Sequence, residues 1–194
     1  MSRKIEKSSK FLSYVLRHKP ETISLSLDSE GWAEIDQLIR LAQSHGTELT
    51  RELLLEVVAT SDKKRFALSA DGSRIRANQG HSIQVNLNLL PQTPPQILFH
   101  GTAMRFVSSI LAQGLVAKSR QFVHLSTDRS TALQVGKRYG KPFLLEVEAL
   151  AMSRDGHEFF MSENGIWLTR TVPTIYLRFP DTSENHLRQR KKSA

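Results

Sequence analysis

The stretch "LLPQTPPQ", residues 89–96, constrains this chain more than any other. It is the only place where three prolines fall close together. Proline fixes its own φ and offers no amide hydrogen, so the stretch cannot be helix and reads as a linker. The hydrophobic pattern also changes across it, from helical spacing before to short extended runs after. The expectation is an α+β chain with an N-terminal lobe at 1–90, a linker at 91–96, a C-terminal lobe at 97–180 and a disordered basic tail at 181–194.

In the first lobe, Phe11, Leu12, Val15 and Leu16 recur at helical spacing, with Ile5 a turn or two earlier and Pro20 as the stop. "EIDQLIRLAQSHG" puts Ile35, Leu38, Ile39 and Ala42 on one face and ends at Gly46. Thr50 can cap a third helix carrying Leu53, Leu54, Val57 and Val58. "RFALSADGSRIRA" is two short runs about Asp71-Gly72, a hairpin signal. Three helices and then a hairpin predict a winged-helix-like lobe. In the second lobe, strands are predicted at 97–100, 122–126, 142–150, 158–161, 166–169 and 174–179, with helices at 105–113 and 128–139.

Composition narrows the function. The 194 residues carry a net charge of +8, which favours a polyanionic partner. Residues 1–90 hold 13 Lys/Arg against 11 Asp/Glu and residues 91–194 hold 14 against 8, so the charge acts in local clusters. There is no cysteine, which excludes disulfides and thiolate chemistry and suits a reducing cytoplasm. No signal peptide or membrane span is expected. "GKRYGKP" is not a Walker A loop, and no Gly-x-Gly-x-x-Gly or Gly-x-Ser-x-Gly occurs. The seven histidines lack metal-ligand spacing, so no metal is expected.

What remains is a set of cations at unusual places. "LRHKP" ends the first helix with Arg17 and His18. "SDKKRF" sets Lys63, Lys64 and Arg65 at the start of the hairpin. "RIRANQGHS" runs from Arg76 into Asn78, Gln79, Gly80, His81 and Ser82. "SRQFVHLS" carries Arg120 and His124, and "FHGT" carries His100. Each has a plain reading as well: helix-end cations, a solvated turn, a core histidine. Together they are harder to dismiss, because five polar residues with no packing use follow an arginine-rich hairpin.

With "SKFLSYVLRHKP", "ATSDKKRF", "IRANQGHS", "TPPQILFHGT", "VHLS", "VGKRYGKP" and "ENGIWLT" in order across nearly the whole sequence, the chain resembles the RNA 2′-phosphotransferase family (tRNA 2′-phosphotransferase, KptA-like). The resemblance implies a winged-helix lobe followed by an ADP-ribosyltransferase-like NAD-binding lobe of mixed α/β structure. It implies that an internal RNA 2′-monophosphate attacks NAD+, expels nicotinamide and forms RNA-2′-phospho-ADP-ribose. Ribose O2″ then attacks the phosphorus, giving RNA 2′-OH and ADP-ribose 1″,2″-cyclic phosphate. Carried over by position, Arg17, His18, Arg65 and Arg120 are catalytic. His100, Gly101, Thr102, His124, Ser126 and Ile166 hold NAD. Lys63, Arg76, Asn78, Gln79, Gly80, His81 and Ser82 meet the substrate phosphate or RNA. The partners implied are RNA and NAD, with no metal and no membrane, for a cytoplasmic monomer. The competing readings are a nucleic-acid-phosphate ADP-ribosyltransferase that stops after the first step, and a non-catalytic winged-helix binder.

Overall fold

A computed structural model describes residues 3–179. The reading of 181–194 as a disordered tail falls outside them. The chain divides into two compact units. The first runs through Leu89 and also takes in Lys118–Gln121 and Ser162–Asn164. The second holds Leu90–Ala117, Phe122–Met161 and the chain from Gly165 onward.

The first unit opens with α1 (Arg3–Arg17), whose stripe Leu12, Val15 and Leu16 is fully buried. The helix ends before Pro20: His18 and Lys19 both donate their amides to Tyr14 O at 3.0 Å, and Pro20 instead opens a 3₁₀ turn over Pro20–Ile23. Proline at a helix start sacrifices no hydrogen bond, which is why it sits there and not at the stop. A two-residue strand, β1 (Ala33–Glu34), leads into α2 (Ile35–Ser44), which buries Ile35, Leu38 and Ala42. The Thr50 side chain caps α3 (Arg51–Ala59) by accepting from Leu53 N at 3.2 Å. The hairpin β2 (Phe66–Leu68) and β3 (Arg74–Ala77) turns at Gly72, whose φ of +68° suits glycine. β1 joins it in an antiparallel sheet of order β1-β3-β2 with Ala33 opposite Ile75. Strand β1 is absent from the sequence expectation because two residues carry no readable alternation.

The second unit contains β4 (Leu98–Ala103), α4 (Val107–Gln113), β5 (Leu115–Val116), β6 (Val123–Leu125), α5 (Arg129–Gly136) and β7 (Pro142–Val147). It continues with α6 (Ala149–Arg154), β8 (Phe160–Met161), β9 (Trp167–Thr169), β10 (Thr171–Val172) and β11 (Leu177–Arg178). Three small antiparallel sheets result, ordered β11-β7-β4, β6-β9-β8 and β10-β5. The expected strand at 142–150 is too long. Glu148 donates its amide to Tyr176 O, and Ala149 and Met152 then bury a helical face, so α6 replaces its end. The expected helices at 105–113 and 128–139 are each part 3₁₀.

Residues 90–96 belong to the second unit. Pro91 bridges Phe160, and Gln92 donates to Phe159 O at 2.8 Å. Overall the chain is mixed α and β with small antiparallel sheets. Among the described residues no helix is long and apolar enough to cross a membrane, and no group of three or more His, Cys, Asp or Glu could hold a metal ion.

Candidate functional site

The first unit gathers Arg17, His18, Arg65 and Arg120. Arg17 is the last residue of α1, where its charge complements the helix dipole. Its helix-end carbonyl accepts the Ser82 amide at 2.9 Å, so the segment after β3 satisfies a group the helix leaves open. Its guanidinium lies 5.8 Å from the Phe66 ring centroid, and Nη2 donates to Arg65 O at 3.2 Å. Its buried Nε finds no acceptor among the described residues. Gly80 lies alongside with φ +89°, and a Cβ there would stand 3.7 Å from Arg17 Nη1.

Burial lowers the Arg17 pKa first, and the charges of Arg65 and Arg120 lower it further, to about 10. The group therefore stays cationic at neutral pH. Among the described residues no carboxylate pairs with Arg17, Arg65 or Arg120, whereas Arg51, Arg74, Arg76, Arg129 and Arg178 each have at least one. Three guanidiniums without a counter-ion, with Arg65 and Arg120 each repelling Arg17, are a costly arrangement that an anion would relieve. His18 shares the field. Burial, then Arg17 and Arg120, hold its pKa below the ordinary value, and Nδ1 lies 2.9 Å from Ser82 Oγ.

The loop that presents Arg65 is held at three successive carbonyls. Asn164 Nδ2 donates to Lys63 O at 2.9 Å, Asn78 Nδ2 to Lys64 O at 2.8 Å, and Arg17 Nη2 to Arg65 O. Lys64 adopts φ +39°, an unfavourable conformation that these contacts maintain. Arg120 was expected in the second lobe but belongs to the first unit. The reason is Gln121, which donates its amide to His81 O at 3.1 Å and its side chain to Val85 O at 3.0 Å. Gln121 and Asn164 were not singled out in the sequence. Asn164 lies in the "ENGIWLT" string that carries the resemblance, while nothing local marks Gln121.

The other expected substrate residues divide. Lys63 and Ser82 are exposed, and Gln79 is half-buried. Asn78 and His81 are buried, and Asn78 spends its donors on the backbone. Burial, then Arg17, His18 and Arg76, push the His81 pKa down to about 4. Arg76 pairs with Glu163 at 2.5 Å and stacks 4.5 Å from the Trp32 ring centroid, so its charge is spent within the protein.

The expected NAD residues lie in the second unit. His100 Nδ1 is 3.0 Å from His124 O, and a carbonyl only accepts, so Nδ1 carries the proton. Thr102 is buried on β4, while Ser126 and Ile166 are half-buried. Ser126 bridges Phe99 through its backbone, and its Oγ accepts from Asp128 N at 3.0 Å. Gly101 has a packing reason: a Cβ there would fall 1.6 Å from Ala132 O, on the helix that crosses β4.

An unpaired guanidinium cluster at the end of a helix, with histidine beside it, is the kind of arrangement that suits phosphate and other oxyanions. Comparison with known proteins gives the family. Residues 2–171 match the model of the RNA 2′-phosphotransferase, Tpt1 / KptA family. A probable RNA 2′-phosphotransferase of Acaryochloris marina is 56% identical over 176 residues, covering 91% of this chain and 97% of that protein. One from Pseudomonas aeruginosa is 57% identical over 180 residues, 92% and 99% of the two chains. The chain belongs to the RNA 2′-phosphotransferase, Tpt1 / KptA family, and is by that membership a transferase.

Proposed function

We propose that the chain removes an internal 2′-monophosphate from RNA by transferring it to NAD+, a co-substrate. The observation that carries this reading is Arg17: a buried guanidinium with an unsatisfied Nε, beside Arg65 and Arg120, with no carboxylate partner among the described residues. A phosphomonoester dianion supplies both the missing acceptor and the missing charge. It needs no general base to act as nucleophile, so in the first step the arginines hold and aim it. NAD+ supplies the ribosyl carbon and the nicotinamide leaving group. In the second step charge moves across the phosphoryl oxygens towards the departing RNA O2′, and the same guanidiniums stabilise it. The proton released by ribose O2″–H ends on RNA O2′. His18 is placed to carry it or to donate to the phosphate.

The first unit is read as a winged-helix lobe, from three helices and the β2–β3 hairpin. The second is read as an ADP-ribosyltransferase-like lobe. There the contact to His124 O fixes the His100 tautomer with the proton on Nδ1. Products are RNA with a free 2′-hydroxyl, nicotinamide and ADP-ribose 1″,2″-cyclic phosphate. The location proposed is cytoplasmic and the state monomeric.

The test is incubation of a short 2′-phosphorylated RNA with NAD+ and separation of products. One nicotinamide and one cyclic phosphate per dephosphorylated RNA are expected. Accumulation of a stable ADP-ribosylated RNA would assign the one-step reaction instead, and absence of nicotinamide release would leave only a binder.

A further inference from the structure

A groove of about 450 Å³ runs along α1 within the first unit. One wall is a single stripe of that helix, Glu6, Ser9, Lys10, Ser13 and Tyr14, continued by His18 just past its end. The other wall is Asp62, Lys63 and Arg65, from the loop before β2. His18 and Arg65 thus belong both to the groove and to the arginine cluster. From His18 the stripe runs about 18 Å towards the start of α1, further than one bound phosphate reaches.

We infer that this groove takes the nucleotides flanking the 2′-phosphate, with a base stacked on Tyr14. The inference rests on the proposed RNA substrate. The lining contains no aliphatic side chain, so it does not suit a lipid or an amphipathic peptide helix, which need apolar anchors. It does suit a single strand, which is recognised by aromatic faces, cations and hydroxyl contacts. Tyr14 is the aromatic face, 47% exposed on an otherwise polar stripe. Glu6 is spent on Lys10 at 2.7 Å, so the far end is close to neutral, while Lys63 and Arg65 outweigh Asp62 and make the cluster end positive. A strand whose phosphate is anchored at that end, and whose next bases lie over Tyr14, matches this gradient. The groove also adds an exposed surface beside Asn78 and His81, which were expected to meet RNA but are buried.

The test compares a fluorescent hexanucleotide and a dinucleotide, each 2′-phosphorylated, by anisotropy without NAD+. Tyr14→Ala weakens hexanucleotide binding at least tenfold and dinucleotide binding less than twofold, and Tyr14→Phe restores the hexanucleotide. Lys7→Ala, a cation on α1 outside the groove, changes neither. Equal losses for both lengths, or no loss for the hexanucleotide, overturn the inference. A 4-thiouridine beside the phosphorylated residue gives a second readout on the unmodified protein. Cross-links at Tyr14 or Ser13 are expected, and cross-links only elsewhere overturn it. Because no turnover is involved, failure of the NAD reaction leaves this result readable. Conversely, equal binding with and without the 2′-phosphate would strike the proposed reaction and not the groove.

Discussion

The two units hold their site residues by opposite means. In the first, cations are brought together against their mutual repulsion and kept in place by hydrogen bonds to neighbouring backbone. In the second, His100, Gly101 and Thr102 sit on β4, packed so closely against α5 that a Cβ at Gly101 would fall 1.6 Å from Ala132 O and one at Gly136 2.5 Å from Thr102 O. The first site is held in an electrostatically costly state that an anion relieves. The second is costly only to alter sterically. Mutation should therefore separate function from stability in one and not in the other.

The largest effect is expected at Gly101→Ala. A Cβ 1.6 Å from a helix carbonyl cannot be accommodated by a side-chain rotation, so α5 must move off β4. A loss of about 3 kcal/mol or more in denaturant unfolding is the expected outcome. A loss near zero would mean the close approach is not holding the unit together.

Arg120→Ala should show the reverse. Its removal relieves repulsion on Arg17, so the melting temperature should stay the same or rise. Transition-state stabilisation should fall by about 3 kcal/mol, read as kcat/KM on a 2′-phosphorylated RNA. A loss under tenfold would make the residue peripheral.

Acid should act on the first unit through His81. Its folded pKa, about 4, lies below the unfolded value of about 6.5, so the unfolded chain binds the proton more readily. The stabilisation from keeping it neutral is complete above the unfolded pKa and is lost as pH falls towards 4. Between pH 7 and pH 5 this amounts to about 2 kcal/mol. Urea unfolding at the two pH values measures it, and the slope should flatten in His81→Asn. The smallest effect is expected on deleting residues 183–194, which should change turnover of a short oligonucleotide less than about twofold. Collapse of activity there would place the tail in the pocket.

Much of the architecture could be read from local chemistry. Thr50 before an apolar run marked α3, and Asp71-Gly72 marked the hairpin, because caps and turns depend on residues a few positions apart. β1, β5 and β10 were missed, since a two-residue strand exists only through its partner. The site was legible as residue types and less so as placement. That Arg17 and Arg65 belong together came only from the family resemblance, because the helix end and the hairpin start by themselves read equally well as ordinary surface cations. That Arg120 joins the same unit depends on Gln121 meeting His81 and Val85, a pairing across tens of residues that no local pattern encodes. The burial of Asn78 and His81 was hidden for the same reason, because a polar run looks identical whether it faces solvent or turns inward.

The inclusion of Lys118–Gln121 and Ser162–Asn164 in the first unit has a consequence for biosynthesis. A nascent chain that has emerged only as far as Leu89 has every helix of that unit but neither Arg120 nor the amide that restrains Lys63. The cluster proposed to hold phosphate is therefore finished late, after residue 164 has left the ribosome. Until then the growing polypeptide carries its cationic helix end without its later partners, and a fragment cut at the proline seam stays permanently in that incomplete condition.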